Sequence, residues 1–480
     1  MKKDLYINGE WISAESGKYF TVYNPATQDG LAEVADADEA DTHKAIQAAY
    51  EAFPMWSKKV ASERAELLRN VYDKMIAAKD ELAQIMTQEQ GKSLQEARGE
   101  IQYAADFVRW YSEEAYRVYG ETIPASHIDK RILVRKEPVG VVASITPWNF
   151  PAAMITRKIA PALAVGCTVI IKPAALTPLT ACRIVELFAD AGVPKGVINL
   201  VTTTKSKSIG DVMLSDPRIR KVTFTGSTEV GKEIMNKASH TMKNLSLELG
   251  GHAPSIILDD ADLADAAEQV VHNKFRNAGQ TCICTNRIYV QKKIATDFIR
   301  IFTEKVAQLK LGNGLDQGVD IGPLINKDAV LKVEKHIEDA CEKGASLTIG
   351  GKRSSLGELF YEPTVLTNVT DDMLIQHEET FGPVVSIQTI ASDEEAVQKA
   401  NDTPFGLAAY LYTNDIGRAI RVSDSLEYGI VGINDGAPSA AQAPFGGYKE
   451  SGIGREGGRI GLDAFVETKY ISLRSTHLSS

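Results

Sequence analysis

From Val139 onward, short runs rich in β-branched residues alternate with amphipathic stretches. The first four runs are VGVVASI (139–145), TVIIK (168–172), GVINLV (196–201) and KVTFTG (221–226). Strands separated by helical segments of roughly ten to fifteen residues form βαβ units, and these build a parallel, doubly wound sheet. A second series of the same kind follows Ala253. The sequence therefore predicts an α/β fold with two sheet-containing units.

The remaining segments carry local signals. Asn8-Gly9 is typical of a hairpin turn between two short strands. Residues 39–119 show apolar residues at helical spacing, which predicts a mostly helical region. The tail ETKYISLRS (467–475) predicts one more strand. A chain of 480 residues is long for one hydrophobic core, so we expect two or three structural units.

Composition and charge exclude several classes of function. The formal net charge is −10, which argues against a nucleic-acid partner because a large basic face is not available. No run of about 18 apolar residues is present, so we expect no membrane-spanning helix. The start, MKKDLYINGEW, has no apolar segment typical of a signal peptide. We therefore expect the protein to reside in the cytoplasm.

The cysteines do not indicate a disulfide framework or a metal site. There are five, namely Cys167, Cys182, Cys282, Cys284 and Cys341. An odd, sparse set in a chain of this size is not typical of a disulfide-stabilised fold. A lone Cys-x-Cys without a second ligand pair is a poor zinc site. We expect no metal.

A glycine-rich segment near the end resembles a dinucleotide fingerprint only superficially. Gly452, Gly454 and Gly457 have the G-x-G-x-x-G spacing. That fingerprint requires a preceding strand, a following helix and an acidic residue about twenty positions later. Here a loop precedes the glycines and the chain has nearly ended. We interpret the segment as a loop that makes tight turns.

Five motifs point to chemistry when they are taken together. They are TPWNFP (146–151), GSTEVG (226–231), LELGG (247–251), FRNAGQTC (275–282) and ETFGP (379–383). Their order and spacing resemble the aldehyde dehydrogenase superfamily across the whole chain. Three longer segments are similar to the succinate-semialdehyde dehydrogenase branch: KFRNAGQTCICTNRIYVQ (274–291), EYGIVGIN (427–434) and APFGGYKESGIGREG (443–457).

The resemblance implies a fold in three parts. A Rossmann-like dinucleotide-binding domain would comprise residues 1–120 and 139–249, and an α/β catalytic domain residues 250–440. A small bridging β-sheet for oligomerisation would comprise residues 121–138 and 463–480. This sheet implies a homodimer or homotetramer, since an unpaired strand edge invites association.

The resemblance also assigns the catalytic residues. Cys282 would be the nucleophile, and a free cysteine has a pKa of ~8.5, so we expect the site to lower the pKa of this thiol. The side-chain amide of Asn149 and the backbone N–H of Cys282 would bind the oxyanion. Glu248 would activate the water that hydrolyses the thioester, a role suited to a carboxylate with a raised pKa.

The cofactor implied by the resemblance is NADP or NAD. The residues expected to bind it are Trp148, Lys172, Ala175, Gly226, Ser227, Leu249, Glu379 and Phe381. NAD-preferring relatives commonly carry a glutamate at the position of Ala175. A carboxylate there would repel a 2′-phosphate by about 4 kcal/mol at ~4 Å and an effective dielectric of about 20. Its absence permits NADP, with Lys172 available to pair with the phosphate.

The resemblance implies a small aldehyde with a terminal carboxylate as substrate. Arg157, Arg276 and Ser439 match the positions that contact this carboxylate in the succinate-semialdehyde branch. Arginine suits the task because it forms paired, charge-assisted hydrogen bonds with a carboxylate. The loop around Ser439 departs from the usual pattern of the branch, which leaves the chain length of the substrate open. Cys284 is a candidate for a reversible disulfide with Cys282, or else a packed small residue.

Three alternatives stay open on the sequence alone. The same chemistry could act on glutarate semialdehyde or another small aldehyde. A CoA-acylating enzyme would replace water by a thiol, although Glu248 favours hydrolysis. A non-catalytic binding protein on the same scaffold is disfavoured because Asn149, Glu248 and Cys282 are all present.

Overall fold

The computed structural model describes residues 2–475. The first part of the chain forms short strands, four helices and two further strands: β1 (Lys2–Lys3), β2 (Leu5–Ile7), β3 (Glu10–Ile12), β4 (Tyr19–Tyr23), β5 (Gly30–Ala35), α1 (Glu39–Trp56), α2 (Ala61–Ala77), α3 (Lys79–Gln90), α4 (Leu94–Glu114), β6 (Glu121–Ile123) and β7 (Lys130–Pro138). The helical region expected over residues 39–119 is thereby confirmed. The hairpin at Asn8-Gly9 is also confirmed, because Tyr6 pairs with Trp11.

The next part alternates strands and helices as expected. Its elements are β8 (Val141–Ile145), α5 (Ala153–Val165), β9 (Thr168–Lys172), α6 (Pro178–Asp190), β10 (Ile198–Leu200), α7 (Ser206–Ser215), β11 (Ile219–Thr225), α8 (Thr228–Ala238) and β12 (Asn244–Glu248). The first sheet has the strand order β22-β12-β11-β8-β9-β10-β2-β3. Its five central strands are parallel and almost wholly buried, which explains their continuous apolar runs.

A second sheet follows. The elements of this part are β13 (Ala253–Ile257), α9 (Leu263–Phe275), β14 (Thr285–Gln291), α10 (Ala295–Val306), α11 (Lys327–Glu342), β15 (Ser346–Ile349), β16 (Thr364–Thr367), β17 (Val384–Ile390), α12 (Asp393–Asn401), β18 (Phe405–Gly406), β19 (Ala408–Tyr412), α13 (Ile416–Ser425) and β20 (Ile430–Ile433). The sheet order is β15-β16-β17-β14-β13-β19-β20, and every pair except β15 with β16 is parallel. The prediction of two α/β units is confirmed.

The last elements return to the earlier parts of the molecule. They are β21 (Tyr448–Lys449), β22 (Gly452–Ile453) and β23 (Val466–Arg474). β22 pairs with β12, and β23 pairs with β7 along its whole length, in a three-stranded sheet with β6. The expected C-terminal strand is confirmed, although residues 476–480 of the expected bridging segment lie outside the described residues.

The glycine-rich segment forms tight turns, as interpreted from the sequence. Gly454, Gly457 and Gly458 have φ angles of +89°, +72° and +56°. A Cβ atom on Gly452 would lie 2.1 Å from the carbonyl oxygen of Leu247. The glycines therefore allow this loop to pack directly against β12. A 3₁₀ helix (Arg459–Phe465) follows them, and no α-helix follows within the described residues.

Candidate active site

The strand order of the first sheet creates a crevice. In the first sheet, β9 and β10 lie on one side of β8, whereas β11 and β12 lie on its other side. The direction in which successive strands are added to the sheet therefore reverses between β8 and β11. Ligands bind at such a switch point, outside the carboxyl ends of the strands. Trp148 and Asn149 follow β8, and Gly226 and Ser227 follow β11. The fold therefore brings together two motifs that are far apart in sequence.

The first turn of α8 is arranged as an anion site. The Ser227 hydroxyl caps the helix by accepting a hydrogen bond from the backbone N–H of Val230 at 3.4 Å. A Cβ atom on Gly226 would lie 2.3 Å from the Phe224 ring, so this path of the chain requires glycine. The N–H groups at such a helix start favour a phosphate.

Aromatic and acidic residues form the opposite side of the crevice. The rings of Trp148 and Phe381 meet edge to face, with centroids 5.6 Å apart. The Glu379 carboxylate accepts a hydrogen bond from the backbone N–H of Gly251 at 3.1 Å. Burial raises the pKa of Glu379 to about 7. Leu249 packs against Gly231 of α8, which places it between the helix and the Gly250–Gly251 turn.

Lys172 is a buried cation at the carboxyl end of β9. It forms no ion pair within residues 2–475, and its Nζ lies 3.5 Å from the Pro173 carbonyl oxygen. Burial lowers its pKa to about 8. Ala175 is half-buried in the adjoining loop. In the same loop, the Thr177 hydroxyl donates a hydrogen bond to the Trp148 carbonyl oxygen at 3.4 Å. Lys172 is therefore available to an anionic group, and Ala175 contributes no opposing charge.

Cys282, the predicted nucleophile, ends a loop (residues 275–282, the nucleophile loop) that contains a left-handed stretch of backbone. Asn277, Ala278 and Gly279 have φ angles of +51°, +55° and +73°. Left-handed non-glycine residues cost free energy and persist where the surroundings enforce them. On the other side, a Cβ atom on Gly251 would lie 2.2 Å from the Cys282 carbonyl oxygen. This contact joins the Glu248 motif to the nucleophile loop.

The Cys282 thiol is half-buried, whereas Cys167, Cys182 and Cys284 are buried. The expectation that the site lowers its pKa is wrong for this structure. Burial, with the nearby Glu379 carboxylate, raises the pKa of Cys282 to about 12. The positive charge of Arg157 opposes this shift but does not overcome it. The resting thiol is therefore protonated.

Asn149 is held by hydrogen bonds at both its backbone and its side chain. Its carbonyl oxygen accepts from Lys92 Nζ at 2.8 Å and from the Asn277 side-chain amide at 3.0 Å. Its own amide Nδ2 donates to the Gln280 carbonyl oxygen at 3.0 Å. An amide carries two N–H groups, so the second is left for a ligand oxygen.

Glu248 is buried, and neither of its carboxylate oxygens has a hydrogen-bond partner among the described residues. Burial, reinforced by the charge of Glu456, raises its pKa well above the ordinary value. Glu456 is also buried, and burial alone would raise its pKa too. Its ion pairs with Lys158 and Arg157 instead hold that pKa below the ordinary value. The surroundings of the two carboxylates therefore suit different roles: Glu248 can accept a proton, whereas Glu456 keeps its negative charge.

The predicted substrate-binding residues fall into two groups. Arg276 and Ser439 line a cavity of about 550 Å³ beside the nucleophile loop. Arg276 has no ion pair in the described part of the chain, and the Ser439 hydroxyl has no hydrogen-bond partner there. Arg157 is buried, ion-paired with Glu456 and stacked 4.2 Å over the Phe445 ring. Its guanidinium thus already has a carboxylate partner within the protein, which it shares with Lys158.

Cys284 lies behind the nucleophile loop. Its thiol donates to the Gly279 carbonyl oxygen at 3.2 Å and lies 3.8 Å from Lys274 Nζ. Burial raises its pKa. A disulfide with Cys282 stays a prediction.

Sequence reasoning missed three buried charges around the site: Lys92, Lys158 and Glu456. Lys158 follows Arg157 directly, and Glu456 lies within the GREG part of a motif already singled out. A buried ion pair between residues roughly 300 positions apart leaves no local pattern in the sequence. The only signal for Lys158 and Glu456 was that each lies beside or within a motif.

The comparisons with known proteins agree with this geometry. The model of the aldehyde dehydrogenase family matches residues 11–471. 3-Sulfolactaldehyde dehydrogenase of Pseudomonas putida is 52% identical over 473 residues, which are 98% of this chain and 97% of that protein. Succinate-semialdehyde dehydrogenase [NADP(+)] of Escherichia coli is 50% identical over 472 residues, 98% of each chain. The crystal structure of succinate-semialdehyde dehydrogenase from Burkholderia pseudomallei has a TM-score of 0.97 at 52% identity, covering 98% of both chains.

This chain belongs to the aldehyde dehydrogenase family, and its α/β architecture is the fold of that family. The resemblance inferred from the five motifs is confirmed. Within residues 2–475, no helix is long and apolar enough to cross a membrane. The same residues contain no group of three or more histidine, cysteine, aspartate or glutamate side chains that could hold a metal ion.

Proposed function

We propose that the protein oxidises succinate semialdehyde to succinate, with NADP or NAD as the cofactor. The observation that carries this proposal is the cavity lined by Arg276, Asn277 and Ser439, which adjoins the loop leading to Cys282. Among the described residues Arg276 forms no ion pair, and the Ser439 hydroxyl has no hydrogen-bond partner. A charged guanidinium and a free hydroxyl at the end of a small cavity suit a short aldehyde with a terminal carboxylate.

The residues at the carboxyl ends of the first sheet fit the cofactor. The start of α8 would hold the pyrophosphate, Lys172 the adenine ribose with its 2′-phosphate, and Glu379 the nicotinamide ribose. The pair of Trp148 and Phe381 would border the ring. When bound, the nicotinamide accepts the hydride that leaves the substrate carbon.

The protein's own groups perform the covalent chemistry. The Cys282 sulfur bonds to the aldehyde carbon, the S–H bond breaks and its proton passes to solvent water, and the C=O π electrons move to the oxygen. The free N–H of Asn149 and the backbone N–H of Cys282 bind the oxyanion that results. Loss of hydride leaves a thioester on Cys282. Glu248 then takes a proton from water, which attacks the thioester and releases the carboxylate and the thiol. Burial and the charge of Glu456 raise the pKa of Glu248 above its ordinary value, which strengthens this carboxylate as a base.

Arg276 is assigned the main contact with the substrate carboxylate. A further contact from Arg157 stays a prediction, because Glu456 already pairs with that guanidinium. Glutarate semialdehyde remains the alternative within this cavity. 3-Sulfolactaldehyde, named in one relative, is also a short anionic aldehyde and belongs in the same assay.

We also infer that the protein acts in the cytoplasm as a homodimer or homotetramer. The support is β23, which pairs with β7 on one side only and carries exposed Tyr470 and Leu473. Such an edge is suited to a second copy of the chain. Sedimentation of the purified protein would measure the assembly, and a monomer would contradict this inference.

The substrate assignment is tested by the rate of NADPH formation without added CoA. Succinate semialdehyde should exceed butanal in kcat/KM, and Arg276→Ala should remove roughly 10- to 100-fold of that advantage while sparing butanal. Arg300→Ala, which changes an exposed arginine, serves as the control. Equal efficiency of the native enzyme on both aldehydes would contradict the assignment, and a strict need for CoA would indicate the acylating alternative.

The role of Glu248 is tested separately. Glu248→Gln should give a burst of about one NADPH per site and then turn over slowly, because formation of the thioester precedes the step that needs the base. Cys282→Ala should abolish the burst while leaving cofactor binding nearly intact. A Glu248→Gln enzyme with normal steady-state turnover would exclude this residue as the base.

A further inference from the structure

The wall of the substrate cavity contains a phenol that no motif indicated. Tyr103 lies on α4, lines the cavity together with Arg276 and Ser439, and packs its ring edge on Phe107 with centroids 4.8 Å apart. Its hydroxyl oxygen is buried, the Arg157 guanidinium is close enough to donate to it, and none of the described residues accepts its proton. A buried hydroxyl whose proton lacks an acceptor costs free energy, so this one requires an explanation.

The neighbouring charges decide what kind of partner the hydroxyl can take. The positive charges close enough to influence it are Arg157 and Arg276, and a guanidinium can only donate hydrogen bonds. Burial raises the pKa of Tyr103, so the phenol keeps its proton. That proton cannot go to either arginine and is left for an acceptor.

The acidic groups of the same wall are already engaged. Glu96 accepts from the backbone N–H of Asn277 at 2.7 Å, and Glu100 is ion-paired with Lys92. Glu268 and Asp320, which also line the cavity, are bound by Lys305 and by the backbone N–H of Lys310. Glu456, whose charge also acts on Tyr103, is bound by Arg157 and Lys158. The acceptor that the Tyr103 hydroxyl lacks is thus a ligand in the cavity.

We propose that Tyr103 donates a hydrogen bond to the carboxylate of the substrate and, with Arg276 and Ser439, selects anionic aldehydes. This inference rests on the proposed function and adds a third donor to it. The three donors come from α4, the nucleophile loop and the segment after β20, so they surround a ligand from different directions. A carboxylate can accept from all three at once, since its two oxygens offer about four lone-pair directions.

The test is Tyr103→Phe, which removes one oxygen atom and keeps the ring. We expect kcat/KM for succinate semialdehyde to fall roughly 10- to 100-fold, mainly through KM, while kcat/KM for butanal stays within about twofold. The inhibition constant of succinate against butanal oxidation should rise by a similar factor. Butanal turnover also shows that the variant folds.

Tyr111→Phe is the matched control, because this tyrosine lies on the same helix and does not line the cavity. An unchanged preference of Tyr103→Phe for succinate semialdehyde, or an equal loss on both aldehydes, would overturn the role of Tyr103. If Arg276→Ala still removes the preference, the proposed function survives that result. If the native enzyme shows no preference for the anionic aldehyde, the proposed function itself fails first.

Discussion

The Cys282 thiol lies in surroundings that retain its proton. Its pKa is raised to about 12 by burial and by the adjacent Glu379 carboxylate. The thiolate fraction of the free enzyme should therefore increase with pH throughout the range from about 7 to 10. Glu379→Gln removes a negative charge near the thiol, so alkylation of Cys282 by iodoacetamide should become several-fold faster at pH 8.

The exposed Cys341 provides an internal reference for that measurement. Its alkylation should be the same in the native protein and in Glu379→Gln, with each site read by mass spectrometry. Equal rates at Cys282 in the two proteins would show that the Glu379 charge does not control the thiol.

If Lys172 binds the 2′-phosphate as proposed, its charge should make the choice between NADP and NAD depend on pH. Its pKa is lowered to about 8, so it is charged below that pH and loses its charge above it. A 2′-phosphate is dianionic well below pH 8 and is attracted only to the charged form. The ratio of kcat/KM for NADP to that for NAD should thus fall several-fold between pH 7 and pH 9.5.

Two variants separate the causes of this effect. Lys172→Met should give a low ratio that does not vary with pH, whereas Ala175→Glu should move the preference towards NAD at every pH. A native enzyme that uses NAD alone would show that another group blocks the phosphate.

Individual site residues differ in how far the sequence could indicate them. Cys282, Glu248 and Asn149 lie within motifs whose residue types match a known chemistry, so they could be named in advance. The raised pKa of the Cys282 thiol could not be predicted from the sequence, because it depends on burial and on charges from distant segments. The donor Tyr103 lies at an ordinary core-facing position of a helix, where nothing in its spacing differs from packing residues.

At the scale of elements, the start of α5 is held by a helix from a different part of the chain. The Glu100 carboxylate of α4 accepts from the backbone N–H of Ala152 at 2.9 Å, while its ion-pair partner Lys92 donates to the Asn149 carbonyl oxygen. Lys92 therefore positions Asn149, whose amide is proposed to bind the oxyanion.

Replacing Lys92 alone would leave Glu100 as an unpaired buried charge, which commonly costs 3–5 kcal/mol. The double variant Lys92→Met/Glu100→Gln avoids this and keeps the acceptor for Ala152. We expect its kcat to fall by about tenfold, less than the ~10²–10³ typical of losing an oxyanion donor itself. The KM for the aldehyde and the dissociation constant of NADPH, measured by fluorescence, should change little.

Glu100→Gln alone is the matched control, since it keeps the Lys92 donor. Burial lowers the pKa of Lys92, and its amine keeps N–H groups to donate whether or not it is charged. A double variant as fast as this control would remove Lys92 from the positioning of Asn149.

The main strands and helices were predictable because buried parallel strands leave continuous apolar runs and helices leave a 3.6-residue period. The strand β22 was not predictable, since two residues are too few to show a periodicity. This strand forms because it pairs with the edge of β12. Residues 441–462, between the expected catalytic domain and the expected bridging strand, likewise had no predicted structure. This segment nevertheless supplies Phe445 and Glu456 to the site.

At the scale of the whole molecule, the core of the first unit is completed by residues near the end of the chain. Phe465 is buried in the cluster formed with α2, α4, α5 and the first sheet, and its carbonyl oxygen accepts from the Val139 N–H at 3.0 Å. Its ring also lies 5.1 Å from the buried Lys221 Nζ. The segment around Phe465 is therefore part of the core of the first unit.

Phe465→Ala should lower the free energy of unfolding by about 3–5 kcal/mol, the usual cost of removing a buried phenylalanine. The measurement is urea unfolding followed by the fluorescence of the protein. Leu473→Ala, at a half-exposed position of β23, should cost far less in the monomer. Similar losses for the two variants would show that the tail stabilises the protein only through association.

The pairing of β7 with β23 also sets a delay during synthesis. Asp129 and Arg474 form an ion pair across 345 residues, and at about 5–20 residues per second a ribosome needs roughly 20–70 s to join them. Throughout that interval β7 can pair only with the short strand β6, and its other edge has no partner. An unpaired edge of this length is a template for mispairing between nascent chains. Slower translation of the second half should therefore increase the demand for chaperones that bind exposed strands, even though the finished protein shows no such need.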